Sequence, residues 1–357
     1  MFVHRQFVEV KMRQLSRWLP FVCSGLILFP TAGSAQAPYY KGKTITVIAG
    51  RSPGGLADLR TKAILPFLQR YIPGNPTIIP QYVPGGGGRK AANQVYRAAA
   101  DGLTIGASSP GVLASAILGG PGVEYDPYKF IYLGSPFSEN NNLFATRKAL
   151  GINSLEKLHA ASGLRIGAQS VGHVQYIRGR LFAWLLDVKE PRFVVGYPGA
   201  ELDIALENGE IDARAAALDT AVLSESYKDL VDFHAILEIP KGHRPSQFAH
   251  LPEIEAFVRS DIERRVLGMS RIFWGVGTLM FLPPSTSEKL AEILRQAVRD
   301  SFKDRQFHEQ YKKILGLNPT PLMPEQQQKL VAELPRDSEV IKLFKTIAGI
   351  DPLPPRR

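Results

Sequence analysis

Apolar residues along this chain either run together or alternate with polar ones for four to six positions, and between such runs the apolar spacing lengthens to three or four. From Lys41 onward the two periods take turns. This predicts an α/β fold built mainly on parallel sheet. Thr44 to Ile48 reads as the first strand. A glycine-rich stretch, Ala49 to Asp58, leads into a helix from Leu59 to about Tyr71. Pro73-Gly74-Asn75-Pro76 is a break, Thr77 to Val83 a strand, Pro84-Gly85-Gly86-Gly87-Gly88 a second glycine turn, and Arg89 to Ala100 a helix. Strands are predicted over Leu103–Ala107, Leu143–Thr146, Leu164–Ala168, Phe193–Val195, Ile211–Leu218 and Thr278–Leu282. Helices are predicted from Leu155 with Ser154 as cap, and over 174–186, 200–208, 287–302 and 324–334.

The stretch around which the chain is organised is strand, glycine turn, helix: Ala49-Gly50-Arg51-Ser52-Pro53-Gly54-Gly55-Leu56-Ala57-Asp58. The first amides of a helix have no intrahelical partner and point along the positive end of its dipole, so a carboxylate or phosphate can sit there. An ordinary tight turn between strand and helix fits the segment equally well. A second pattern, Ile-Gly-Ala-x-Ser-x-Gly, occurs at Ile105 and again at Ile166. Each copy presents a serine at a strand end. Two facing lobes holding one ligand need such a pair, and chance similarity over so short a pattern is the alternative.

Composition adds three points. With 357 residues, 45% hydrophobic and 21% charged, the chain is long enough for two lobes. The net charge of +10 is scattered, and Arg5, Lys11, Arg13 and Arg17 against Glu9 supply +3 of it within the first 35 residues. That disfavours nucleic acid as a partner, because neither a binding motif nor an aromatic-basic stripe accompanies it. The same first residues read as a secretory signal over 1–35: a basic start, an apolar core from Trp18 to Phe29, then Ala32-Gly33-Ser34-Ala35. A retained membrane anchor is the alternative. Cys23, the single cysteine, falls inside this segment, so the mature chain suits an oxidising compartment without disulfides.

Catalytic signatures are absent. Neither glycine turn matches a nucleotide fingerprint, no metal-ligand spacing is present, and no cofactor is implied. Ser170 lies one residue short of a G-x-S-x-G elbow, with His173 beside it. A hydrolase would need its base from His234, His243 or His250, which stand in no recognisable context. Ser170 therefore reads better as a helix cap or ligand donor than as a nucleophile.

Taken in order, several segments resemble the substrate-binding proteins of tripartite tricarboxylate transporters, the Bug or TctC family. They are Pro53-Gly54-Gly55-Leu56-Ala57-Asp58, Pro84 to Gly88, Asp101-Gly102-Leu103-Thr104, Tyr125-Asp126-Pro127, the turn Ser170-Gly172-His173, Tyr197-Pro198-Gly199, Gly209-Glu210-Ile211-Asp212, and Pro283-Pro284 before the Ser287 helix. The resemblance implies a two-lobed, type II-like periplasmic binding protein that closes like a Venus flytrap, with two crossover strands as hinge. Lobe 1 would be 38–141 with 277–357, and lobe 2 would be 142–276. Such a protein is a monomeric periplasmic receptor without enzymatic activity, which takes a small carboxylate and delivers it to membrane permease subunits; a ligand sensor for a signalling system is the alternative. Carried over by position, Ser52, Pro53, Gly54, Gly55, Leu56, Ser108, Ser109, Ser170, Gly172, His173, Tyr197, Gly199 and Asp219 would face the ligand, and Asp58 would tether the loop. Two departures concern ligand choice. Leu56-Ala57 replaces a hydroxyl pair common in the family, and Arg51 replaces an aromatic residue. Arg51 and Arg214 are thus candidate contacts for a second carboxylate.

Overall fold

The computed structural model describes residues 37–197, 201–218 and 225–356; the expected signal segment 1–35 lies outside them. Strand β1 (Thr44–Ala49) buries Ile45 and Val47 completely. Helix α1 (Leu56–Tyr71) starts three residues before the predicted Leu59, because Gly55 serves as N-cap and its carbonyl accepts the amides of Asp58 and Leu59. β2 (Thr77–Tyr82), α2 (Arg89–Tyr96), β3 (Thr104–Ser108), α3 (Gly111–Ile117) and β4 (Ile131–Gly134) follow. Residues 135–141 then cross to β5 (Asn142–Arg147). Beyond it come α4 (Leu155–Ala160), β6 (Arg165–Ala168), α5 (Val174–Leu185), β7 (Arg192–Val195), α6 (Glu201–Glu207), β8 (Ala213–Ala217), α7 (Glu225–Leu230) and β9 (Val231–Leu237). Helix α8 (Asp261–Gly275) returns the chain to β10 (Leu279–Leu282), and α9 (Glu288–Lys303), α10 (Arg305–Leu315), α11 (Pro324–Ala332) and α12 (Ser338–Ala348) complete it.

The strands form two five-stranded sheets, ordered β2-β1-β3-β10-β4 and β7-β6-β8-β5-β9. They are mixed rather than mainly parallel. β10 runs antiparallel to β3 and β4, and β5 antiparallel to β8 and β9, while β1 with β2 and β3, and β6 with β7 and β8, are parallel. The physical reason is the crossing. A strand that arrives directly from the other sheet enters at the edge where its neighbours end, so it runs against them. Only periodicity within a segment is visible in sequence, and direction is not.

Because 135–141 is short, at most ~3.6 Å per residue, it joins the carboxyl end of β4 to the amino end of β5 without a detour. The carboxyl ends of β1, β3, β6 and β8 therefore lie at the edges of their sheets nearest the crossing. One apolar core lies under α1, α9 and α10, with Ile45, Val47, Phe67 and Phe307 fully or nearly fully buried. A second runs from Tyr132 and Phe281 in the first sheet to Phe144 in the second and Phe182 of α5. Each such side chain contributes roughly 1.5–3 kcal/mol on burial. A third core, with Leu202, Leu206 and Tyr227, lies where α6 and α7 cover the second sheet.

The final segment does not stay with the first sheet. α11 packs on β4, whereas α12 packs on α5 and α8. Residues 349–356 continue along α5: Tyr176 donates to Gly349 O at 2.9 Å and Trp184 Nε1 to Pro354 O at 2.9 Å.

Candidate functional site

The first turn is an exposed loop held from beneath. Ser52, Pro53, Gly54, Gly55 and Leu56 are all exposed. Asp58, 2% exposed, accepts from the Gly54 amide at 2.8 Å and from Tyr82 Oη at 2.9 Å, and pairs with Lys62 Nζ at 2.8 Å. Burial by itself would push this carboxyl up; the donors of Gly54, Lys62 and Tyr82 outweigh it and hold it below the usual carboxylate range. The loop is thus fixed from inside by an anion, which leaves its outer face free of carboxylate charge.

Arg51 folds back rather than out. Its Nη1 donates to Ala57 O and, at 3.1 Å, to Thr61 Oγ1, while Nη2 is buried with no hydrogen-bond partner. Burial lowers its pKa to about 10, with Asp58 opposing. In this arrangement Arg51 braces the loop against α1. The second glycine turn, Gly85 to Gly88, has positive φ at every position, and it presses on the first through Ser108. Ser108 is fully buried, and a Cβ at Gly50 would come within 2.8 Å of its Oγ. A Cβ at Gly88 would overlap the same oxygen. Ser108 therefore fills the space between two backbones, and its neighbour Ser109 is the exposed serine of the pair.

At the second turn, Ser170, Val171 and Gly172 are exposed. His173 is the N-cap of α5, and its Nδ1 accepts the Gln175 amide at 3.3 Å. Burial, with Arg178 one turn on, pushes the imidazole down to about 4, so it is neutral near pH 7. Tyr197 is half-buried and donates to Glu210 Oε2 at 3.1 Å. Gly199 and Asp219 lie outside the described residues. Arg214 does not reach this edge as a free cation. It is 2% exposed, paired with Asp203 of α6, and its guanidinium lies 5.5 Å from the Tyr227 ring.

Sequence reasoning placed a crossing at this boundary but named none of the residues that hold it. Asn141 accepts the Ile239 amide at 2.6 Å and donates to His243 O at 2.6 Å, so one side chain ties the outgoing chain to the segment after β9. Gly277, φ +67°, lies so close to the crossing that a Cβ would overlap Phe137 O and Ser135 Oγ. Arg60 of α1 stacks on Phe137, 3.6 Å from the ring centroid. The run Ser138-Glu139-Asn140-Asn141-Asn142, polar immediately before a buried strand, was the available signal. A cavity of about 210 Å³ lined by Phe137, Asn141, Leu218 and Thr320 adjoins it. A cavity of about 690 Å³ lies elsewhere, between α5, β7 and residues 350–356, and meets the second turn only at Val171.

Chemically the arrangement offers amides, small hydroxyls and a neutral imidazole on two strand-end turns. Among the described residues no group of His, Cys, Asp and Glu is arranged to hold a metal ion, and no helix is long and apolar enough to cross a membrane.

No protein-family model and no curated protein matches the sequence. Solved structures do match. MatC from Rhodopseudomonas palustris with bound malate is similar at 21% identity and TM-score 0.60, over 86% of this chain and 99% of that one. A TctC solute-binding protein from Polaromonas is similar at 15% identity and TM-score 0.64, over 86% and 98%. The periplasmic binding protein BugD is similar at 18% identity and TM-score 0.61, over 87% and 99%. From Pro38 onward the chain therefore has the two-lobed α/β fold of periplasmic binding proteins.

Proposed function

We propose that this protein is a periplasmic solute receptor that captures a small carboxylate between two lobes and hands it to a membrane transporter of the tripartite tricarboxylate type. The observation that carries this reading is the placement of two strand-end turns, 50–55 and 169–173, on different sheets joined by the short crossing 135–141. The lobes would be 38–141 with 277–332, and 142–276, the last helix and residues 349–356 lying against α5 of the second lobe rather than staying with the first. Ser52, Pro53, Gly54, Gly55, Leu56 and Ser109 would meet the ligand from one side. Ser170, Gly172, His173, Tyr197, Gly199 and Asp219 would meet it from the other. The malate in MatC supports a carboxylate as the ligand class, and the comparable folds belong to binding proteins rather than enzymes.

Recognition then needs no covalent step. A carboxylate draws amides and hydroxyls from both turns, and its greater affinity for the closed form shifts the population toward closure. The test is thermal shift against mono-, di- and tricarboxylates, L-malate included. A ligand at 100 times its Kd adds about 2.7 kcal/mol to stability, enough to move Tm by several degrees. No shift with any member at millimolar concentration would overturn the reading.

A further inference from the structure

His173 occupies a position where Ser, Thr, Asp or Asn usually caps a helix with an oxygen. Here a ring nitrogen does so: Nδ1 takes the Gln175 amide proton at 3.3 Å. An accepting Nδ1 carries no proton, so the one proton of the neutral ring is on Nε2. The cap thereby selects the tautomer. In the first turn of α5 the Gln175 side-chain oxygen is buried and has no hydrogen-bond partner.

We infer that His173 presents its Nε2–H, as a neutral donor, to the anion bound at the second turn, and is the side chain there that selects for a carboxylate. This rests on the receptor reading above. Among the described residues the charged group acting on the ring is Arg178 of α5. Both burial and Arg178 disfavour a second ring proton. The second turn thus recognises an anion without spending a cation, and affinity does not depend on protonating the imidazole. A histidine that bound as imidazolium would instead lose affinity through neutral pH.

Two measurements on the full mature protein decide the matter. In [15N]histidine NMR of the unliganded protein, the His173 ring should show the Nε2–H tautomer and stay neutral down to about pH 5. An Nδ1–H ring, or titration near pH 6.5, overturns the proposal whatever the ligand. Calorimetric titration with L-malate, or with whichever carboxylate of the panel binds, should give a Kd that is flat from about pH 6 to 8. His173→Ser keeps an oxygen cap and replaces the ring N–H with a hydroxyl on a shorter side chain; affinity should fall about tenfold or more, the cost of one hydrogen bond to a charged group, with Tm nearly unchanged. His173→Ser binding like the wild type, or wild-type affinity falling about tenfold per pH unit above 6.5, overturns the inference and leaves the receptor reading standing. If no carboxylate binds the wild type, both fall.

Discussion

Asp58 decides what kind of surface the first turn presents. A carboxylate facing outward would repel an anion; turned inward onto Gly54, Tyr82 and Lys62, it shapes the loop and leaves the amides of the α1 start unopposed. Asp58→Ala should lower stability at pH 7 by about 1–3 kcal/mol, the cost of stranding buried donors. The sign with pH follows from its depressed pKa. The stabilisation is fully present above the unfolded carboxylate value of about 3.9 and is lost as pH falls through the lower folded value. Urea denaturation should therefore show the wild-type advantage at pH 7 and a narrowing gap below about pH 4. A gap independent of pH would assign the effect to packing. Ser108 carries the opposite lesson. As the last residue of a strand it looks like a ligand donor, but its neighbours Gly50 and Gly88 close over it.

At the level of elements, the crossing sets strand direction and so determines which ends meet. Its tightest point is Gly277, where the chain returning from α8 passes the outgoing segment at Ser135 and Phe137. Gly277→Ala should destabilise by about 1–3 kcal/mol, combining a positive-φ penalty with overpacking against backbone. Gly268, in the middle of α8 with open space where a Cβ would go, is the control. Gly268→Ala should stabilise by ~0.5–1 kcal/mol through helix propensity. Thermal denaturation of the two variants checks both signs, and a neutral Gly277→Ala would mean that the crossing is loosely packed. The early start of α1 belongs to this scale too. Gly55 can serve as N-cap, so Leu56 and Ala57, both strong helix formers, make the first turn.

For the whole molecule, the unexpected feature is the path of the last residues along α5. Arg356 pairs with Glu263 at 2.7 Å, with the two side chains 5% and 1% exposed. It also donates to Leu185 O and Phe257 O, while Arg180 donates to the carbonyls of Thr346, Ile347 and Asp351. Removing one partner of such a pair leaves a buried charge, so Arg356→Ala should cost about 3–5 kcal/mol. Glu263→Gln combined with Arg356→Met, which removes both charges, should cost distinctly less. Equilibrium denaturation of both proteins measures the difference, and equal losses would show that the charges contribute little. The sequence by itself determined the alternation of strands and helices and both glycine turns, because each rests on period or turn chemistry within about ten residues. It also carried the order of motifs that pointed to a two-lobed binding fold. Only the tertiary structure decided the antiparallel entry of β5 and β10, the burial of Ser108, the pairing of Arg214 with Asp203 and the latch of Arg356 on Glu263. Those depend on which distant segments pack together, as Arg356 and Glu263 do across 93 positions of chain. Local propensity has no means of specifying such a meeting; it is set by the burial of both sheets at once.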